Sequence, residues 1–329
     1  MEYVNINLST NDIANDETSN TPFDNSNTPY DDVHKTMSHD CPRLLIPVVN
    51  EAFQEKYTGD EKIKFLHNEH FINIEGKPTE EKITDSCFEI QSETIKKYLI
   101  ESQSNADSSM PRRLFEYGSQ VALDDAVEEG DQLVVDFPRT AVLFLRHTRN
   151  TPDEMKIKIQ TTGGSVLYNV PVIKIQKYTL QEIFEKNLLF FLPFYIFRYS
   201  KKLKVYEANS KKLQELKAEY SYIRERLETL SSEGKITEFE KYTLFRMSQK
   251  VIDALAKNYP QVREGVGTIM GGKILDYDAK IILQSGIREG ERNGKILTYL
   301  EFVKEGFLTL AEAAKRLNMK EEELKNYLQ

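Results

Sequence analysis

Apolar and polar residues alternate over two short stretches in the first third of the chain, and both read as strands. In the first, Phe88 and Ile90 fall on one side and Asp85, Cys87 and Glu89 on the other, because successive side chains of a strand point to opposite faces. In the second, Tyr98 and Ile100 share one side, while Leu99, Glu101 and Gln103 share the other. Pairing the two strands with their apolar sides on a common core puts Asp85, Glu101 and Gln103 on one face. Further strands are expected over Lys62–Ile74, Gln132–Phe137 and Ala141–His147. The last of these is apolar throughout, as a strand buried on both faces would be. Met155–Gln160 and Val166–Tyr168 alternate around Gly163-Gly164 and predict a hairpin, with Val170–Ile175 continuing the sheet.

Helical spacing fills most of the rest. Asp31-Asp32 are expected to cap a short helix through Met37. Pro42 opens another through about Phe53, with Leu44, Leu45, Val48 and Val49 as its apolar stripe. Met110 to Val127 predicts a third helix with Pro111 in its first turn. Thr179 with Glu182 makes a capping box. Leu188 to Tyr199 is dense in aromatics and reads as core or as a seam between domains. Residues 203–230 and 236–258 predict two helices broken at Ser231-Ser-Glu-Gly234, an antiparallel hairpin. A glycine-interrupted helical stretch over 276–307 and two small helices at the end follow. Residues 1–27 carry Asn, Ser, Thr and Asp with no apolar period, the pattern of a disordered tail. The division expected is therefore a tail over 1–27, an α/β domain over 28–199, a helical region over 200–307 and a small helix-turn-helix-like end over 308–329.

Charge sharpens this picture. The 329-residue chain carries a net −8 and is 40% apolar, enough for a sizeable core. The excess is uneven: residues 200–329 sum to +4 and residues 1–199 to −12. That balance argues against a generally sticky nucleic-acid binder. The lysines at 201, 202, 204, 211 and 212 read either as a solvated helix face or as a DNA contact. The second of the two terminal helices begins Lys320-Glu321-Glu322-Glu323, which would repel phosphates, so packing or oligomerisation suits it better than DNA reading. Cys41 and Cys87 are too few for a disulfide framework, and a reducing cytoplasm is the expected compartment. The longest apolar run, Leu188–Phe197, falls short of the roughly 20 residues a membrane span needs, so no membrane partner is expected.

Candidate chemistry centres on the shared strand face. Asp85 and Glu101 are hard oxygen ligands and suit Mg²⁺ or Mn²⁺; the alternative is a solvated sheet face with exposed carboxylates. On the helix that follows, Arg113, Tyr117 and Gln120 fall on one face. Arg113 fits a phosphate clamp, since guanidinium forks match phosphate oxygens, or equally a salt bridge to Glu116 or a neighbouring acid. His67 and His70 lack the further ligands of a zinc site.

The order of these features resembles the PD-(D/E)XK nuclease superfamily, and within it the Rpn branch of recombination-promoting, transposase-like nucleases. The segments carrying the likeness include Pro29–Met37, Leu44–Glu51, Thr84–Ile90, Ile100–Ser104, Arg113–Tyr117, Leu143–Thr148 and Gly271–Tyr277. The resemblance implies an α/β restriction-endonuclease-like core, a central mixed sheet flanked by helices, with an α-helical C-terminal region. It implies Asp85 and Glu101 as ligands of Mg²⁺ (or Mn²⁺ or Ca²⁺); Glu51 on the early helix reads either as an acid that reaches the same metal or, equally, as an ordinary exposed Glu. It puts Gln103 where a Lys is usual; a Gln can orient a water or hold a phosphate oxygen but carries no charge. Arg113, Tyr117 and Gln120 would then face the DNA phosphates. The implied activity is metal-dependent endonucleolytic hydrolysis of DNA linked to recombination or mobile elements, with DNA and a further copy of the chain as partners. Leu99 stands where the branch usually has a His, Ser102 where it has a Cys, and the 91–97 link lacks the expected Gly turn. These departures leave open a catalytically inactive DNA- or protein-binding relic of the fold.

Overall fold

The computed structural model describes residues 28–66, 69–72, 80–83, 86–104, 109–271, 294–304, 308–317, 319–325 and 327. The expected tail over 1–27 and most of the stretch 276–307 lie outside them.

The two alternating stretches form strands β4 (Ser86–Gln91) and β5 (Ile95–Gln103), paired antiparallel with Phe88 opposite Tyr98 and Ser86 opposite Ile100. On the outer side of β4 runs β1 (Lys62–Phe65), also antiparallel. Further along the expected 62–74 stretch, β2 (Glu69–Ile72) pairs instead with β3 (Glu80–Ile83) in a separate antiparallel ribbon. From β5 the chain crosses over through helix α3 (Met110–Asp124) to β8 (Arg139–Phe144), which lies parallel to β5. A parallel neighbour requires such a crossover, because a tight turn can only reverse the chain. The hairpin β9 (Glu154–Thr161) and β10 (Gly164–Lys174) completes the sheet, with β10 parallel to β8. The order is β1-β4-β5-β8-β10-β9, a six-stranded mixed sheet flanked by helices.

The alternation maps onto the two sheet faces as the sequence predicts. Phe88, Ile90, Tyr98 and Ile100 join the large core. Cys87 and Leu99 turn the other way and meet Tyr117 and Val121 of α3. In β8, Leu143 enters the large core while Val142 and Phe144 pack with Met110 and Leu114 of α3. That strand is buried on both faces, which is why its sequence shows no alternation.

The large core is covered by α1 (Pro29–Asp40), α2 (Leu45–Phe53) and a buried 3-10 segment over Leu189–Lys202. Helices α5 (Leu203–Ala208), α6 (Ser210–Ser232), α7 (Glu238–Leu255) and α8 (Pro260–Met270) lie beyond. One continuous cluster of buried side chains runs from Val33 to Met270, across the 199/200 boundary. Between these groups stands α4 (Leu180–Glu185), opened by the expected Thr179–Glu182 capping box. A separate small cluster ties the helix over 294–304, α9, to α10 (Leu310–Leu317) and α11 (Glu321–Lys325).

Several expected elements shift. Helix α1 is capped by Thr28, whose hydroxyl accepts from the Asp31 N–H while the Asp31 carboxylate accepts from the Thr28 N–H. Asp31 is therefore the reciprocal partner of the box, not the cap. Helix α3 stops at Asp124, and Val127 belongs to a hairpin of β6 (Val127–Glu129) and β7 (Gln132–Val134). Gly130 holds φ +65°, a left-handed turn position that disfavours any other residue. The expected helix over 203–230 is broken at Asn209, whose side chain accepts from the Lys212 N–H and starts α6 anew. Polar side chains that bond their local backbone compete with helix continuation in this way.

Candidate functional site

The site is built where β5 ends beneath the first turns of α3. The parallel crossover carries α3 over one face of the sheet, and the packing of Leu99 with Tyr117 and Val121 shows it is the face of β5 that carries Leu99, Glu101 and Gln103. Glu101 is fully buried. Arg113, one turn into α3, donates from Nη2 to its carboxylate at 3.1 Å, with the arginine side chain 33% exposed. The guanidinium also stands 5.9 Å from the centroid of the Tyr117 ring, the ring itself buried against Cys87 and Leu99. A guanidinium between a buried carboxylate and an aromatic face, with one side open to solvent, is suited to meeting an outside anion.

A carboxylate taken fully out of water costs several kcal/mol unless a cation and further hydrogen bonds compensate it. The sequence expectation of exposed carboxylates fails for Glu101, because α3 packs down on the end of β5. Asp85 lies outside the described residues. Its chain neighbour Ser86 is buried, pairs with Ile100 across the β4–β5 ladder, and donates its hydroxyl to Ser38 of α1 at 2.7 Å. Gln103 is half-buried on the same strand, and its carbonyl accepts from the Leu145 N–H.

Of the predicted phosphate-facing trio, Arg113 and Tyr117 are brought to Glu101. Gln120 is not: its amide donates to Asp124 Oδ1 on its own helix at 3.2 Å. Glu51 is also held elsewhere. Its carboxylate accepts from the Tyr178 hydroxyl at 2.9 Å and from Lys186 Nζ at 2.6 Å. It sits on α2, over the face of the sheet opposite to that carrying Glu101. Leu99, at the position of the usual His, is an ordinary buried residue between Cys87 and α3. Burial pushes the Cys87 thiol up to about 12, and the nearby Asp124, Glu101 and Glu89 add to it against the opposing Lys97.

Two buried polar features escaped the sequence reading. The Ser38–Ser86 bond joins α1 to the first residue of β4, and nothing in the spacing of either serine marks it. His34 is fully buried with its ring 5.3 Å from Phe190; its place on the inner face of α1, between Val33 and Met37, was the available signal.

The donor types fit a hard divalent cation: a carboxylate at 101 and an amide oxygen at 103 on one strand face. Among the described residues, no group of three or more His, Cys, Asp or Glu side chains is arranged to hold a metal ion. No helix among them is long and apolar enough to cross a membrane. No family model, curated protein or solved structure matches the chain.

Proposed function

We propose that this chain is a divalent-metal-dependent DNA endonuclease of the PD-(D/E)XK type, acting in recombination or on mobile elements. The observation that carries the reading is Glu101, a fully buried carboxylate at the end of a central strand, capped by a half-exposed arginine. Glu is almost never fully buried unless paired, and departures from the packing rules concentrate at functional positions. The six-stranded mixed sheet flanked by helices is compatible with this reading.

In the proposed site Asp85 and Glu101 hold the ion. A bound Mg²⁺ or Mn²⁺ would polarise a phosphoryl oxygen and make a water acidic enough to attack phosphorus. The chain's own residues do the rest. Arg113 transfers one of its N–H donors from Glu101 to a DNA phosphate oxygen, entering from its exposed side. Tyr117 holds the guanidinium in plane from below. Gln103 uses its amide to orient the attacking water or a phosphate oxygen, since it is never a charged base.

The Arg113–Glu101 ion pair also favours a second reading, in which the pair is purely structural and the fold is an inactive DNA- or protein-binding relic. Cleavage of supercoiled plasmid with Mg²⁺, Mn²⁺ or Ca²⁺ separates the two. Wild type should nick with Mg²⁺ or Mn²⁺, and Asp85→Asn and Glu101→Gln should each reduce the rate by roughly 100-fold or more, as ligand loss does when even outer-shell loss costs about 10–100-fold. Circular dichroism should show both variants folded. No nicking with any metal would leave the relic, and equal nicking in all three proteins would remove the site.

A further inference from the structure

Among the described residues the hairpin β6–β7 is hydrogen-bonded to no other strand and forms its own two-stranded ribbon. Every residue from Val127 to Phe137 is exposed, so neither face of the ribbon is covered by the described residues. Leu123, Val127, Leu133, Val134, Val135 and Phe137 are all at least 37% exposed within this short span. An isolated two-stranded hairpin is at best marginally stable in water and needs something to pack against. Its inner end is anchored, with the Phe137 ring stacked 6.1 Å from Phe115 of α3; its outer end is bare.

The same span carries six acids, Asp124, Asp125, Glu128, Glu129, Asp131 and Asp136, and no Lys or Arg. An apolar ribbon with that charge cannot pair with its own copy through a two-fold axis, since like charges would meet. It fits a basic surface bearing apolar side chains. This chain has one. Lys201, Lys202, Lys204, Lys211 and Lys212 are all exposed where the 3-10 segment leads into α5 and α6, and Val205 among them is 47% exposed. The single acid of that stretch, Glu207, is occupied: its carboxylate accepts from the Gln261 and Val262 N–H groups at the start of α8.

The two patches lie on opposite sides of the sheet. The hairpin follows α3, which packs with Cys87 and Leu99; α5 and α6 reach the other face through Leu203, Leu216 and Tyr220. One molecule therefore cannot close the contact on itself. We propose that the β6–β7 hairpin of one copy docks on the lysine-bearing α5–α6 surface of a second copy. This is a head-to-tail contact, which generates a ring or a filament rather than a two-fold dimer.

Light scattering and sedimentation of the full chain over a range of concentrations test this. Wild type should exceed the mass of one chain at about 50 mM salt and fall toward it near 500 mM, because exposed charges are screened. Glu128→Lys with Glu129→Lys, and separately Lys211→Glu with Lys212→Glu, should each leave monomers. Mixing the two variants should restore assembly, since each then offers the complement of the other's altered patch. Leu133→Ser with Val134→Ser, at unchanged charge, should weaken association at least tenfold. Four outcomes would overturn the proposal: a monomeric wild type at every concentration, variants that keep the wild-type mass, a mixture that stays monomeric, or lysine variants that lose DNA binding while their mass is unchanged.

Discussion

Arg113 and Glu101 are joined at 3.1 Å across the gap between α3 and β5, with the carboxylate 1% and the guanidinium 33% exposed. Removing the cation takes a charged partner from a buried carboxylate, and breaking a buried pair in this way typically costs about 3–5 kcal/mol. Because Arg113 keeps one side in water, the lower end of that range is expected for Arg113→Met. Glu101→Gln retains the shape and one acceptor oxygen for Arg113 and should cost less. In the double variant the charge that made Arg113→Met expensive is gone. Urea unfolding of the four proteins should therefore give a coupling energy of about 1–3 kcal/mol. Additive costs would mean that the pair contributes nothing to the fold and exists only for its chemistry.

The thiols offer a test of burial. Cys41 and Cys87 are both pushed up to about 12, mainly by burial, Cys41 with Glu240 adding to it and Cys87 with its acidic neighbours. The reactive thiolate is thus suppressed in the folded chain. An aromatic disulfide reagent at pH 8 should find no thiol until denaturant is added, and then both of the two that the chain contains. The same shift fixes a pH dependence. Folded thiols hold their protons longer than unfolded ones, so the stability they contribute is complete below the ordinary value of 9.0 and is lost as pH rises toward 12. Rapid reaction of one thiol in the native state would show that its burial is not maintained in solution.

How far the sequence reached depends on what each residue's neighbours are. Phe88, Ile90, Tyr98 and Ile100 announce their face because period two is a local property of the backbone. The parallel order of β5, β8 and β10 is longer-range, and it was legible only as a run of apolar residues in β8 too dense to alternate. The place of Glu101 on the strand face opposite Tyr98 and Ile100 was legible from that alternation. Its burial was not, because the cover comes from α3, and helix–strand packing leaves no periodic mark on an acid. The bond Gln120 makes has a similar source: helical spacing puts it on the face of Arg113 and Tyr117, and Asp124 four residues on is its partner there. Asn209 breaks a helix that charge and leucine spacing made look continuous, since a cap acts at one residue and a pattern averages over many.

Glu51 provides the sharpest contrast between resemblance and geometry. The hydroxyl of Tyr178 and the ammonium of Lys186 both donate to its carboxylate, and burial together with that carboxylate pushes the Tyr178 hydroxyl well above its ordinary range. Glu51→Gln should weaken the tie between α2 and the segment leading into α4 by about 1 kcal/mol, the ordinary worth of such a bond. Plasmid nicking should be untouched. Denaturation and nicking measured side by side decide it. A loss of nicking equal to that of Glu101→Gln, in a protein of unchanged stability, would return Glu51 to the metal site.

His147, just beyond β8, sets a dependence of the opposite sign to that of the thiols. Burial holds its imidazole below the ordinary value of 6.5, and Lys174, Lys177 and Lys201 add to the effect against an opposing bond to Gln176. Lys174 is itself 6% exposed and fixed by Thr151 O at 2.6 Å and Asp153 at 2.7 Å, so this positive neighbour cannot move away. At a pH below the unfolded value the unfolded chain binds a proton that the folded chain resists. Stability then rises with pH through this window and falls as the solution is acidified below it. His147→Gln removes the group and keeps a side chain of similar polarity. The melting temperature of the variant should fall less steeply than that of wild type between about pH 7 and about pH 5, the range over which a histidine titrates. Lys174→Met should move the curve in the same direction by a smaller amount, because burial remains the larger cause. Parallel wild-type and His147→Gln curves would show that the imidazole takes up its proton in the folded chain as readily as in the unfolded one, and that the lysines beside it are screened by solvent.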